Sequence, residues 1–138
     1  MSGEATKASE MFANGLYCSQ AVLGAFSEKY GLDKETAFRI AFGLNSGARC
    51  AELCGAVSGA VLVIGLRYGD SRELGNQKTE EFMRIFKERN GSVVCRGLLG
   101  CDIFTPEGNA KAVAEGLFRT VCPKAVADAA QILADLGY

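Results

Sequence analysis

Residues 54–68, CGAVSGAVLVIGLRY, carry the strongest structural signal in this chain. A helix with this sequence would be apolar on almost every side, which predicts a buried position at the centre of the protein. Its first two turns are made of small residues, which are Gly55, Ala56, Ser58, Gly59 and Ala60. Glycine inside a helix costs about 1 kcal/mol relative to alanine, so Gly59 indicates close approach by another backbone or by a ligand. A tight helix crossing with no ligand explains the same glycine equally well.

Helical periodicity, interrupted by short glycine-marked breaks, continues on both sides of this stretch, and no strand-like alternation is found. We therefore predict an all-α, single-domain bundle over residues 1–138, with about seven or eight short helices around the central helix at 54–68. Asp33 and the pair Thr105-Pro106 are typical helix starts. Ser92 is expected to cap a short helix that runs to Leu99. The other expected helices cover residues 4–13, 18–31 and 79–90, and a last one from Cys122-Pro123 to about residue 136.

The chain contains six cysteines and no histidine among its 138 residues. The lack of an imidazole excludes Ser-His-Asp and Cys-His catalysis, histidine-containing zinc sites and histidine-ligated haem. The net charge of −1, with no run of three basic residues, leaves no electrostatic footprint for nucleic acid. What remains is thiol chemistry, carboxylate chemistry, or neither.

We expect no membrane insertion, because the most apolar stretch, residues 56–66, is about half of the ~20 residues that a bilayer span needs. The first residues, MSGEATKASEMFANG, lack the basic and apolar regions of a signal peptide. These features predict a cytoplasmic protein, in a compartment that keeps thiols reduced. Six cysteines there indicate metal binding or redox chemistry rather than structural disulfides. Free cysteine is also an ordinary small core residue, and this interpretation stays open for any single one.

Three of the cysteines, Cys18, Cys54 and Cys122, fall at predicted helix N-termini. The helix dipole and the unpaired N–H groups there stabilise an anion, so we expect lowered thiol pKa values at these positions. Cys95 falls inside the short sixth helix, Cys101 follows Gly100, and Cys50 lies in the loop of residues 43–53. Arg49, beside Cys50, either tunes a thiolate or faces solvent.

The spacing of the cysteines matches no known local motif. No C-x-x-C occurs, so neither a thioredoxin-type motif nor a zinc knuckle is present. The C-x-x-C-H motif that attaches c-type haem is also absent. The pairs Cys50/Cys54 and Cys95/Cys101 are weak signals alone. The sequence contains neither a G-x-G-x-x-G motif nor a P-loop, so it has no sign of a nucleotide site. Any site must therefore be assembled from distant segments by the fold.

Four separated stretches nevertheless occur together in a recognisable order, and through them the chain resembles the C-GCAxxG-C-C family of redox-active proteins. The stretches are residues 17–22 (YCSQAV), 54–59 (CGAVSG), 95–100 (CRGLLG) and 116–124 (GLFRTVCPK). The resemblance extends from about Tyr17 to Leu136. It implies redox chemistry at clustered cysteines but no defined reaction. Some relatives resemble an iron–sulfur module joined to a multihaem segment, whereas this chain has no haem motif.

The resemblance also assigns the cysteines. It places the signature thiols at Cys18, Cys54, Cys95 and Cys122, and it leaves Cys50 and Cys101 outside, as substitutes at most. The family has a denser glycine run after the third helix, which residues 43–47 (GLNSG) dilute. The shape of the loop facing Cys54 is therefore not predicted.

Three functional hypotheses follow, in order of preference. The first is a [2Fe–2S]-type iron–sulfur cluster or similar metal centre for electron transfer, held by the four signature thiols, with Gly55, Ala56 and Gly59 giving room and N–H donors. The second is a metal-free thiol–disulfide oxidoreductase or redox sensor, in which a low-pKa Cys54 or Cys122 attacks. The third is a helical interaction domain with inert buried cysteines. The first two require an unidentified redox partner protein, and no motif decides between a monomer and a homodimer.

Overall fold

The computed structural model describes all residues of the chain and contains eight α-helices and no strands. The helices are α1 (Gly3–Ala13), α2 (Cys18–Phe26), α3 (Lys34–Ala41), α4 (Gly55–Tyr68), α5 (Arg72–Asn90), α6 (Cys95–Leu99), α7 (Pro106–Ala114) and α8 (Leu117–Asp135). The predicted all-α class is confirmed. Short 3₁₀ turns follow α2 and α3, at Ser27–Tyr30 and Phe42–Leu44.

The helix at residues 54–68 is the buried centre that its composition predicts. Every residue of its first two turns is buried, from Gly55 to Ala60. It packs on α2, α5 and α8, while α1 packs along α8. Gly59 allows the crossing with α2, because a Cβ atom there would lie 2.7 Å from Ser19 O and 3.2 Å from Val22 Cβ. Of the two explanations for Gly59, the structure therefore supports the tight helix crossing.

Several predicted helix starts are confirmed by their caps. The Asp33 side chain accepts a hydrogen bond from Thr36 N at 2.9 Å, and Thr105 Oγ1 accepts one from Gly108 N at 3.0 Å ahead of Pro106. Helix α5 begins earlier than expected, at Arg72, because Ser71 caps it through Leu74 N. Helix α2 ends earlier, at Phe26, where the chain tightens into a 3₁₀ turn. Ser92 caps no helix itself, since α6 begins at Cys95 with Val94 as its N-cap.

The largest correction concerns the C-terminal helix. We predicted a helix start at Cys122-Pro123, but α8 begins at Leu117, after a left-handed Gly116, and passes through Pro123 without ending. Proline in a helix interior forfeits one backbone hydrogen bond, and packing of the buried face outweighs this loss. That face includes Val126, Ala129 and Leu133. Cys122 therefore lies within a helix and not at its N-terminus.

The loop after α3 has an unusual backbone. Ser46, Ala48, Arg49 and Ala51 all have positive φ angles between 54° and 61°, and Gly47 has a φ of 66°. Residues other than glycine are strained at positive φ angles by roughly 1 kcal/mol or more each. We call residues 46–51 the left-handed segment.

Candidate functional site

Four of the six cysteines line one cavity. It has a volume of about 460 Å³, and Cys18, Cys54, Cys95 and Cys122 all contribute to its lining. Most of the other lining residues are apolar, among them Leu16, Ile103 and Phe118. Cavities of this size are typical of small-molecule and cofactor sites. The four thiols belong to four different segments, so only the folded chain brings them together.

An isolated antiparallel bridge positions two of the thiols. Leu53 pairs with Val94, and each is followed directly by a cysteine. The amide of Cys54 donates to Val93 O at 2.8 Å, and the amide of Cys95 donates to Glu52 O at 2.6 Å. These bonds fix the starts of α4 and α6 side by side. Cys54 is thus the N-cap of α4, and Cys95 is the first residue of α6.

Cys18 is the first residue of α2, as predicted, and its sulfur lies against α4. A Cβ atom added at Gly55 would overlap Cys18 Sγ, so only glycine leaves room for this thiol. Hydrogen bonds anchor the residues that follow it: Ser19 Oγ donates to Ala41 O at 2.7 Å, and Gln20 Nε2 donates to Phe38 O at 3.0 Å. The start of α2 is therefore tied to α3 directly beside the thiol.

Cys122 reaches the cavity from the middle of α8. It shares one helix face with Phe118, Val121 and Ala125, which also line the cavity. This spacing of three and four residues is that of a single helix face. The prediction that Cys122 lies at a helix start was wrong. Cys95, which we expected inside a helix, is instead the first residue of one.

The pKa values of the cavity thiols are raised, so the structure does not activate these thiols as nucleophiles. Burial raises the pKa of Cys54 to about 12, that of Cys122 to about 12 and that of Cys95 to about 11. A negative charge on Cys18 would raise the pKa of all three further. The expectation of lowered pKa values at Cys18, Cys54 and Cys122 was wrong, because burial outweighs the helix N-terminus at Cys18 and Cys54, and Cys122 has none.

Backbone amides face the sulfur of Cys18, as the amides of Val57 and Ala56 face that of Cys54. Burial raises the pKa of Cys18, and the backbone amides of Ser46, Ser19 and Ala56 offset part of this effect because they face the sulfur. Amide donors to a thiolate favour its charged form. Ala56 thus contributes through its backbone, and Gly55 through the space it leaves, whereas Gly59 serves the helix crossing and does not line the cavity.

Cys50 and Cys101 do not line the cavity. Cys50 is exposed on the left-handed segment, where its Sγ donates to Gly47 O at 3.3 Å. Cys101 is partly buried just after Gly100, with Sγ 3.8 Å from Leu99 O. All six cysteines are free thiols.

The left-handed segment forms a wall of the cavity that the sequence does not reveal. Ser46 and Gly47 line the cavity, and a Cβ atom at Gly47 would come within 3.0 Å of Cys95 Cβ. Glycine at position 47 is the one local signal, because Ser46, Ala48 and Arg49 are not residue types that predict positive φ. This chain has fewer glycines here than the family, and its non-glycine residues therefore adopt positive φ angles at a cost in backbone strain.

A protein-family model matches most of the chain. The family model described as "Putative redox-active protein (C_GCAxxG_C_C)" matches residues 16–136. The chain belongs to this family. The matched range includes all four cavity cysteines. No curated protein and no solved structure matches the chain. No helix of the protein is both long enough and apolar enough to span a membrane.

Proposed function

We propose that this protein binds an iron–sulfur cluster of the [2Fe–2S] type through Cys18, Cys54, Cys95 and Cys122 and uses it for electron transfer. The observation that carries the proposal is the meeting of four thiols, from four separate segments, at one largely apolar cavity. Four thiolates complete the ligand set of such a cluster. When bound, the cluster supplies reversible one-electron chemistry, for which a redox partner protein is required.

Both the thiols of the cavity and the backbone amides beside them would interact with such a cluster. The thiols carry raised pKa values and are protonated at neutral pH, so ligand binding must displace their protons in favour of a metal. The amides of Ser46, Ser19 and Ala56, which face Cys18, would then donate to a metal-bound thiolate. Such donors, together with an apolar surround, are what set the reduction potential of an iron–sulfur site.

The cavity has room for a group larger than a single ion. No three Cys, Asp or Glu side chains converge closely enough to hold one metal ion. A cluster bridged by inorganic sulfide is larger than one ion and places its cysteine ligands farther apart. The cavity of about 460 Å³ offers this additional space.

The metal-free alternatives have weaker support. A thiol–disulfide oxidoreductase needs one thiol that ionises easily, and burial raises the pKa of Cys18, Cys54, Cys95 and Cys122 alike. An inert structural role for these cysteines would not require a cavity at the point where they meet.

The experiment is anaerobic reconstitution of the reduced protein with iron and sulfide, followed by absorption spectroscopy and analysis of both elements. We expect a brown protein with about two irons and two sulfides per chain. Cys54→Ala should lower the retained iron at least about tenfold, since it removes a direct ligand. Cys50→Ala is the matched control, because its thiol lies outside the cavity, and it should load as the wild type does.

A colourless product with no bound iron would overturn the proposal. Reversible loss of two thiols per chain on mild oxidation, without iron, would support the thiol–disulfide alternative. Thiols that stay unreactive until denaturation would support the inert one. Equal iron loading in Cys54→Ala and Cys50→Ala would show that iron binds elsewhere.

A further inference from the structure

The left-handed segment is held against the cavity from its solvent side by an arginine. Arg49 Nη1 donates to Asn45 Oδ1 at 3.1 Å, and the Arg49 guanidinium lies over the Phe104 ring at 5.0 Å from its centroid. Asn45 is only 2% exposed, and its Nδ2 donates to Phe42 O at 2.8 Å. Arg49 therefore connects a buried anchor at one end of the segment to the loop between α6 and α7.

These contacts join two segments that line the same cavity. Ser46 and Gly47 belong to the left-handed segment, and Ile103 is the neighbour of Phe104. Arg49 connects the two segments through its hydrogen bond and its stacking. Arginine suits this role because its planar guanidinium can stack on a ring and donate in its plane at once.

The contacts of Arg49 act against strain in the backbone of the left-handed segment. Ser46, Ala48 and Arg49 all adopt left-handed φ angles, which side chains with a Cβ atom disfavour. Such conformations persist only where surrounding contacts impose them. On the far side of Cys50, Arg96 Nη1 donates to Ala51 O at 3.1 Å and pairs with Glu52 at 2.7 Å, so the segment is pinned near both ends.

We propose that Arg49 is a positioning residue that holds the left-handed segment closed over Cys18, by bonding Asn45 and stacking on Phe104. The closed segment keeps the Ser46 amide facing the Cys18 sulfur and keeps water from this side of the cavity. The inference rests on the proposed function only in naming these thiols as the site, and its test uses the reduced, metal-free protein.

The test measures alkylation of each cysteine by iodoacetamide in the folded, metal-free protein, resolved by mass spectrometry of the peptides. In Arg49→Ala, we expect Cys18 to react at least about fivefold faster, because local opening of the segment exposes it. The reaction of Cys122 on α8 should not change. Arg39→Ala removes an exposed arginine of α3 and is the matched control, with wild-type rates at all cysteines.

Rescue by a conservative variant separates positioning from a general loss of stability. Arg49→Lys should restore part of the wild-type behaviour, since an ammonium group can still bond Asn45 and sit over Phe104.

Two results would overturn the inference: a Cys18 rate in Arg49→Ala equal to that of the wild type, or parallel acceleration of every cavity cysteine together with a loss of thermal stability. If Arg49→Ala does not fold, Phe104→Leu provides the same test, because it removes the stacking surface from a partly exposed site. The thiol rates can be measured whether or not a cluster loads. Failure of reconstitution would thus count against the proposed function and leave this result standing.

Discussion

The first turn of α4 and the left-handed segment both face the four thiols, yet opposite means hold them in place. The α4 turn has ordinary helical geometry. Its glycine has no side chain, and neighbouring atoms therefore pack directly against its backbone. A Cβ atom at Gly55 would overlap Cys18 Sγ and lie 2.9 Å from Leu44 O. The left-handed segment has side chains where glycine would be easier, and polar contacts of Arg49 and Arg96 secure it from outside.

This difference indicates a division of roles at the cavity. A close-packed helix turn resists change because each added atom meets a neighbour that cannot move. A strained loop held by partly exposed hydrogen bonds opens with far less free energy. We therefore infer that α4 fixes the thiol positions, whereas the left-handed segment controls access to them.

The largest effect should come from adding one methyl group to the α4 wall. Gly55→Ala brings a Cβ into Cys18 Sγ and within 2.9 Å of Leu44 O. Overpacking against backbone should lower the free energy of unfolding by about 3 kcal/mol, measured by urea denaturation of the reduced, metal-free protein. The matched control is Gly65→Ala on the same helix, where no atom lies within 4 Å of the new Cβ. That variant should gain roughly 0.5 to 1 kcal/mol, and a loss equal to that of Gly55→Ala would contradict the rigid-wall interpretation.

The helix wall could be predicted from the sequence because its signals are local. An apolar run with small residues in its first turns identifies α4, and the capping residues Asp33 and Thr105 mark two other helix starts. The family resemblance, and not the spacing, identified the four thiols as a group. The bridge between Leu53 and Val94, which places Cys54 beside Cys95, joins distant segments and has no local signature.

The other wall could not be predicted, since its conformation opposes the preferences of its own residues. Nothing about Ser46, Ala48 or Arg49 favours a positive φ, and tertiary contacts impose it. The same reason explains the error at Pro123. Proline is a local signal for a helix start, and burial of the surrounding face of α8 overrides it. The raised thiol pKa values were missed because burial is a property of the whole fold.

The next effect concerns pH and tests how well the two walls exclude water. The pKa of Cys54 and of Cys122 is raised from the ordinary 9.0 to about 12 by burial. A raised folded-state pKa contributes stability that is complete below pH 9 and is lost as the pH rises from about 9 toward 12. The metal-free protein should therefore lose unfolding free energy steadily over this range, measured by urea denaturation at each pH.

Variants separate these thiols from the lysines and tyrosines that titrate in the same range. Cys54→Ala removes one buried thiol, so its stability should fall less steeply above pH 9 than that of the wild type. Cys50→Ala removes an exposed thiol outside the cavity and should keep the wild-type slope. Identical slopes in all three proteins would mean that water reaches the cavity freely in solution.

The smallest effect should come from removing a methyl group from the left-handed segment. Ala48 is exposed and has a φ of 57°, so Ala48→Gly relieves strain without removing a buried contact. Relief of left-handed strain exceeds the entropy that glycine loses on folding, and the net gain should be roughly 0.5 to 1 kcal/mol of unfolding free energy. Ala110→Gly, the same change at an exposed position of α7, should instead cost about 1 kcal/mol. Opposite signs for one chemical change would locate the strain in the segment. A loss of stability in both variants would show that residues 46–51 are relaxed in solution, and the contrast between the two walls would then rest on the α4 variants alone.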